Sequence, residues 1–245
     1  MGFEWVFVGD SDVILLVGDG QYHARRAFYT FANFPALLLH DSYINYPDGA
    51  SIPDPPLLDF LVAAIARALS ASPTGFERTI AWWSPVASAL TSIPVYLGCR
   101  LLAGRGTAWT AAAIFAVLPI VVTGSQVGNG DHHAAVALLG ALLLALSLAA
   151  LSPASRPSRL RWVAVGFAIL RIAIPLSWSG SLLYTGIADG LILLSATLSG
   201  RREPLAIVGF AAAACAVVLC PVVLWLPHPV GGAYSAVALS YLHAL

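Results

Sequence analysis

Residues 79–245 are a series of long apolar runs separated by short polar turns, whereas residues 1–78 mix brief hydrophobic stretches with charges. The runs fall at about 79–99, 107–124, 133–151, 161–178, 182–199 and 204–226. Each is near the ~20 residues a helix needs to cross a hydrocarbon core. A last run starts near residue 230 and looks unfinished at residue 245. The pattern predicts about six spanning helices. Phe3–Val17 carries Glu4, Asp10 and Asp12 and does not qualify. Leu57–Leu69 is apolar but has only 13 residues and includes Asp59 and Arg67. It reads as a helix lying at the membrane interface, started by Pro55-Pro56.

Arginine orders the runs. Arg100 and Arg105, then Arg156, Arg159 and Arg161, then Arg201 and Arg202 sit in alternate connections, and the connections near 125–131, 179–181 and 227–232 hold none. Positive residues collect in cytoplasmic loops. The alternation therefore puts the Arg loops inside, and Asp131 with the whole front of the chain outside. The expected organisation is an external loop with interfacial helices over residues 1–78 and a transmembrane helical bundle over residues 79–245, apparently truncated. Met1-Gly2-Phe3 opens no basic or apolar leader, so a first spanning helix is expected upstream.

Composition agrees. Hydrophobic residues make up 59% of the 245 and charged residues 10%, against about a quarter charged in a soluble domain. A soluble monomer is excluded. The net charge is zero, which gives a nucleic-acid partner nothing to bind. Cys99, Cys215 and Cys220 lie in apolar stretches without a CxxC, so a disulfide framework or a zinc site is not expected.

Two polar runs stand out in this setting. One is Gly18-Asp19-Gly20-Gln21-Tyr22-His23-Ala24-Arg25-Arg26, and the other is Gly128-Asn129-Gly130-Asp131-His132-His133, which opens the third span. Asp131 stands where a helix N-cap belongs. From there Asp131 and His133 can turn toward one point. Carboxylate oxygens with an imidazole nitrogen suit a divalent ion such as Mn²⁺ or Mg²⁺, and the helix N-terminus suits a phosphate. A plain Asp cap flanked by two interfacial histidines fits the same spacing. Within the spans, Arg171 and Asp189 fall at comparable depth, where they could pair between neighbouring helices.

The motifs together resemble the catalytic subunit of oligosaccharyltransferase in its archaeal and bacterial forms. Asp19, Tyr22, His23 and Arg25 follow that family's first-loop pattern of Asp, aromatic, His or Asn, then Arg. Asp41-Ser42-Tyr43-Ile44-Asn45-Tyr46-Pro47-Asp48-Gly49 resembles its D-x-Y-x-N-Y-P-x-G segment. Pro55-Pro56-Leu57-Leu58-Asp59 resembles its P-P-L-x-D run, and Gly130-Asp131-His132-His133 its second acidic motif. Trp178-Ser179-Gly180 is a further echo. The resemblance implies an all-α, polytopic membrane bundle of the GT-C type. It implies transfer of a glycan from a polyprenyl phosphate or pyrophosphate carrier to the Asn of N-x-Ser/Thr, at the outer face of a prokaryotic plasma membrane. The partners implied are a lipid-linked oligosaccharide and an acceptor polypeptide, and the cofactor is Mn²⁺ or Mg²⁺. Asp19 and Asp131 would be catalytic, Asp19, Asp131 and His133 would ligate the metal, and Arg25 would meet a carrier phosphate or a carboxylate of the site.

The family's late-loop acid and its C-terminal W-W-D-x-G domain have no counterpart here. The chain is therefore expected to be a fragment, a mis-called gene, or a relative that works with a further half or second polypeptide. Two other readings compete: another polyprenyl-phosphate-sugar transferase of the same class, whose first-loop Asp-Glu pair is absent, and a non-enzymatic carrier-binding bundle.

Overall fold

The computed structural model describes every residue except 1, 2, 10, 11, 17, 53, 70, 153–156, 228–232, 237 and 245. Arg156 of the second Arg connection and the start of the last apolar run lie outside the described residues. Nine α-helices are described: α1 Phe3–Val6, α2 Asp19–Ala32, α3 Leu57–Ala68, α4 Pro73–Val117, α5 Pro119–Gly124, α6 His133–Leu151, α7 Pro157–Ser177, α8 Leu182–Ser199 and α9 Glu203–Trp225. Two antiparallel ladders of two-residue strands, β1 Phe7–Val8 with β2 Asp12–Val13 and β3 His40–Asp41 with β4 Ala50–Ser51, are the described β-structure.

Five helices (α4 and α6–α9) are long and apolar enough to cross a membrane. The chain is thus a multi-pass, all-α membrane protein. The sequence divides α4 into two runs at Arg100–Arg105, and the backbone breaks there. Gly104 adopts φ 85° and ψ −178° inside the helix, a conformation that an L side chain resists and glycine accepts. Tyr96 and Trp109 then meet with ring centroids 4.8 Å apart. In one straight helix, 13 residues would separate them by about 20 Å. The two arms therefore fold back on each other at Gly104. The second arm stops at Leu118, whose extended backbone precedes Pro119 and α5. The first arm begins at Pro73 rather than at residue 79, because Ser72 caps it by accepting a hydrogen bond from Gly75 N.

The chain forms two compact units. The first comprises Met1–Ile52, Pro56–Leu90 and Phe115–Leu138. Its core is built by α2 and α3: Ala24, Ala27 and Phe31 from one, Leu58, Val62, Ala63 and Ala66 from the other, closed by Phe76 and Ile80 of α4. The run Leu57–Leu69 does form a helix, with Pro56 at its N-cap. The second unit comprises Pro53–Pro55, Thr91–Ile114 and Leu139–Leu245. There Leu143, Phe167, Ile174, Ile192, Ile207 and Ala211 form the core of the α6–α9 bundle. Arg171 and Asp189 meet as an ion pair between α7 and α8. Described residues of the last apolar run form turns and a 3₁₀ turn at Tyr241–His243 instead of a spanning helix. His243 is buried there, accepts from Ser240 N at Nδ1 and donates from Nε2 to the Ser179 carbonyl at 2.7 Å.

Candidate functional site

In the first unit, the two polar runs picked out in the sequence meet through glycines. A Cβ on Gly20 would stand 2.9 Å from Gly130 N and 3.2 Å from Asp131 N. A Cβ on Gly130 would stand 2.9 Å from the Gly20 carbonyl oxygen. Only residues without side chains allow this backbone-to-backbone approach. It brings the start of α2, where Asp19 is the exposed first residue, against the loop that carries Asp131. The loop is itself pinned, since Gly128 N donates to the Ala81 carbonyl at 2.9 Å and Ser84 donates to the Asn129 carbonyl.

Asp131 lies one residue ahead of the cap position. The His132 carbonyl accepts the first helical hydrogen bond, from Val136 N at 2.9 Å, so His132 is the capping residue and the Asp131 carboxylate meets the His132 N–H and two imidazoles. Its Oδ1 accepts from His132 N at 2.6 Å and lies 2.8 Å from His132 Nδ1. Its Oδ2 lies 3.1 Å from His133 Nδ1. Burial alone would raise the Asp131 pKa. The hydrogen bond from His132 and the charges of His132 and His133 outweigh burial and hold the carboxyl well below its usual range.

His132 extends the cluster inward. Its Nδ1 is 3.1 Å from His23 Nε2. The other ring nitrogen of His23 bonds Asp59 Oδ1 at 2.7 Å, and Asp59 Oδ2 meets Arg26 Nε at 3.1 Å. His23, Arg26 and Asp59 are all buried. Burial opposes a charged His23, but the Asp59 hydrogen bond and charge prevail, so its pKa is raised. The result is a continuous polar line: Arg26, Asp59, His23, His132, Asp131, His133. Among the described residues, His23, Asp131 and His132 place one ligand atom each within 4.8 Å of one another, the spread of a metal-binding set.

Asp131 and His133 are therefore brought together; Asp19 precedes Gly20, whose backbone meets Gly130, and does not belong to the set of His23, Asp131 and His132. Arg25 makes its described contacts with the β3–β4 segment. Its guanidinium grips Asp41 by two bonds of 2.9 and 3.0 Å and lies over the Tyr43 ring at 4.3 Å. Sequence reasoning gave His132, Asp59 and Arg26 no role, and it quoted His23 only as part of a motif.

The family model described as oligosaccharyl transferase STT3, N-terminal, matches residues 22–242. The dolichyl-phosphooligosaccharide-protein glycotransferase 2 of Archaeoglobus fulgidus is 30% identical over 203 residues, which cover 82% of this chain and 31% of that protein. The dolichyl-monophosphooligosaccharide–protein glycotransferase AglB of Haloferax volcanii is 28% identical over 195 residues, 77% of this chain and 18% of that protein. The crystal structure of the Archaeoglobus fulgidus oligosaccharyltransferase in its apo form superposes with a TM-score of 0.85 at 23% identity, covering 99% of this chain and 29% of its own. The archaeal oligosaccharyltransferase AglB from Archaeoglobus fulgidus in complex with an inhibitory peptide and a dolichol-phosphate gives 0.83, and the Archaeoglobus fulgidus oligosaccharyltransferase with Zn and sulfate 0.84, both at 23% identity over 98% of this chain, and over 29% and 31% of their own. This chain thus spans between about a fifth and a third of the relatives it matches. With the family model covering most of the chain, and the helical fold shared throughout, this protein belongs to the oligosaccharyl transferase STT3 family.

Proposed function

We propose that this chain provides the membrane part of a glycosyltransferase that moves a glycan from a polyprenyl phosphate or pyrophosphate carrier to the Asn of N-x-Ser/Thr in an acceptor polypeptide. The observation that carries the reading is the Gly20–Gly130 contact, which joins the Asp19 end of α2 to the Asp131–His133 turn. Asp19, Asp131 and His133 would hold a divalent metal, Mn²⁺ or Mg²⁺, with His23 and His132 as the neighbouring nitrogen donors. Support comes from the ionised Asp131 carboxylate, the kind of ligand that suits these ions, with His132 at 2.8 Å and His133 at 3.1 Å from it. The metal, when bound, supplies positive charge to a phosphate leaving group.

The chain's own residues hold the rest in place. The histidines keep Asp131 ionised and so available as a ligand and acceptor. Asp59 orients the His23 ring, with Arg26 holding the far side of that carboxylate. Asp19, exposed at the head of α2, faces the acceptor amide and orients a poor nucleophile. Arg25 braces the first loop through Asp41.

In the membrane, the reversal at Gly104 and the Arg alternation support six crossings, with Arg100, Arg105, Arg159 and Arg201 on the cytoplasmic side and the Asp131 site on the outer face of the plasma membrane. The lipid-linked oligosaccharide and acceptor peptide reach the site there. Mn²⁺ titration of the detergent-purified chain followed by electron paramagnetic resonance tests the site. Saturable binding lost in Asp131→Ala and weakened in Asp19→Asn supports it. Binding indifferent to both substitutions sinks it.

A further inference from the structure

At the Arg-rich end of the second unit, a groove of about 450 Å³ runs between α4, α6 and α7. All three walls share one polarity along the helix axes. Arg100 of α4, four residues before Gly104, and Arg159, in the first turn of α7, are at the mouth. Leu97, Leu146 and Val163 stand about one turn farther in, and Leu142 about one turn beyond Leu146. The floor is closed by small residues, since a Cβ on Gly98 would stand 3.7 Å from both the Cα and the Cβ of Ala145. A cleft with a cationic mouth and an aliphatic interior has the shape of an amphiphile carrying one anionic head.

Charge decides which amphiphile. From residue 78 to residue 188 the only carboxylate in the sequence is Asp131. Asp131 sits at the other end of α6, 18 residues before Ala149. Asp189 is paired with Arg171 on α8. Glu203, the one acid near this end, is exposed and lies 3.8 Å from Arg201. Arg100 and Arg159 are exposed, and the helices that carry them offer no carboxylate at this end. A zwitterionic lipid carries a headgroup cation beside its phosphate, and two lining guanidiniums disfavour that cation. A lipid whose net charge is that of its phosphate diester meets them with charge-assisted hydrogen bonds alone while its hydrocarbon fills the leucine-lined slot.

We propose that this groove is a specific site for an anionic phospholipid of the surrounding leaflet. The head phosphate lies between Arg100 and Arg159, and one acyl or isoprenoid chain lies along Leu97, Leu142 and Val163. The site is independent of the Asp131 centre and of the glycosyltransferase reading. Each arginine near the head group contributes about a five-fold preference, so the pair gives roughly 25-fold selection of anionic over zwitterionic lipid.

The test is native mass spectrometry of the whole chain released from nanodiscs of equal phosphatidylglycerol and phosphatidylcholine. Phosphatidylglycerol should be retained preferentially by the wild type and by Arg202→Gln, which removes a charge at the same end outside the groove. Retention should drop to the phosphatidylcholine level in Arg100→Gln/Arg159→Gln. Leu142→Trp, which fills the slot and leaves both charges, should also abolish it, with an unchanged melting temperature confirming the fold. If Arg202→Gln lowers retention as much as the groove variant does, the attraction is a diffuse surface effect and the proposal fails. If Leu142→Trp leaves retention intact, no chain lies in the groove and the proposal fails likewise.

Discussion

The Asp59 carboxylate bonds the His23 imidazole at 2.7 Å from the opposing helix, with both side chains buried. A carboxylate on one ring nitrogen fixes the tautomer and turns the other nitrogen outward, here toward His132 and Asp131. The same carboxylate neutralises buried Arg26. Asp59→Asn keeps the shape and removes the charge. It should destabilise the protein by about 3–5 kcal/mol, the usual effect of removing one partner from a buried ion pair, and weaken divalent-metal binding about 10- to 100-fold. Chemical denaturation and Mn²⁺ titration read the two effects separately. An unchanged metal affinity in a variant that still folds would disconnect Asp59 from the site.

The Gly20–Gly130 approach makes a sharper prediction. A methyl group on Gly20 would sit 2.9 Å from Gly130 N, against backbone that has no rotamer to change. Gly20→Ala forces α2 and the Asp131 loop apart and should destabilise the fold by about 1–3 kcal/mol as overpacking. Because Asp19 and Asp131 separate with it, metal binding should fall further than in Gly106→Ala, a glycine with nothing within 4 Å. Parallel melting and titration of the two variants check this.

The five long apolar helices were legible because long apolar runs are local signals. The Gly20 and Gly130 stretches stood out because glycines and charges interrupt apolar sequence there. The inner half of the site was written less openly. His23 lies on the α2 face of Ala24, Ala27 and Phe31, and Asp59 on the α3 face of Val62, Ala63 and Ala66. A polar residue at a core position of each of two amphipathic helices is the sign of a buried pair. It becomes decisive only when the pairing of the two helices is known, and that pairing joins residues 36 apart in sequence. The N-cap reading of Asp131 missed by one residue because cap geometry depends on backbone angles that composition does not fix. The Arg25–Asp41 grip was hidden for the same reason as the buried pair: Asp41 reaches α2 only through the β3–β4 ladder.

That grip sets a pH dependence. The Arg25 hydrogen bonds lower the Asp41 pKa, against burial, which would raise it. A depressed folded-state pKa contributes stability that is present above the ordinary carboxylate value, about 3.9. The contribution is lost as the pH falls through the lower folded value. The wild type should therefore lose melting temperature as pH falls through and below that range, and Asp41→Asn should show a shallower loss from a lower starting point. Melting curves between pH 3 and pH 7 decide it, and identical slopes would remove Asp41 as a source of acid sensitivity. Because the Arg25 side chain is 44% exposed, solvent screens the pair and the difference should be modest.

The buried ion pair of the second unit gives the last prediction. Arg171 of α7 and Asp189 of α8 meet inside the bundle, with side chains 10% and 17% exposed. Pro175, one turn beyond Arg171, interrupts the α7 hydrogen-bond ladder, so this stretch of α7 depends on its neighbours more than an unbroken helix would. Taking two charges out of water is costly, and their attraction offsets that cost only while both are present. Arg171→Leu should leave Asp189 as an uncompensated charge in an apolar bundle and destabilise by about 3–5 kcal/mol, and Asp189→Leu should do the same to Arg171. The double variant Arg171→Leu/Asp189→Leu removes both charges and should recover most of the loss, to within about 1 kcal/mol of wild type or better. A melting series of the four proteins in one detergent closes the cycle. Additive single effects would mean that the two side chains are held by other partners and that the α7–α8 pairing does not depend on their charge.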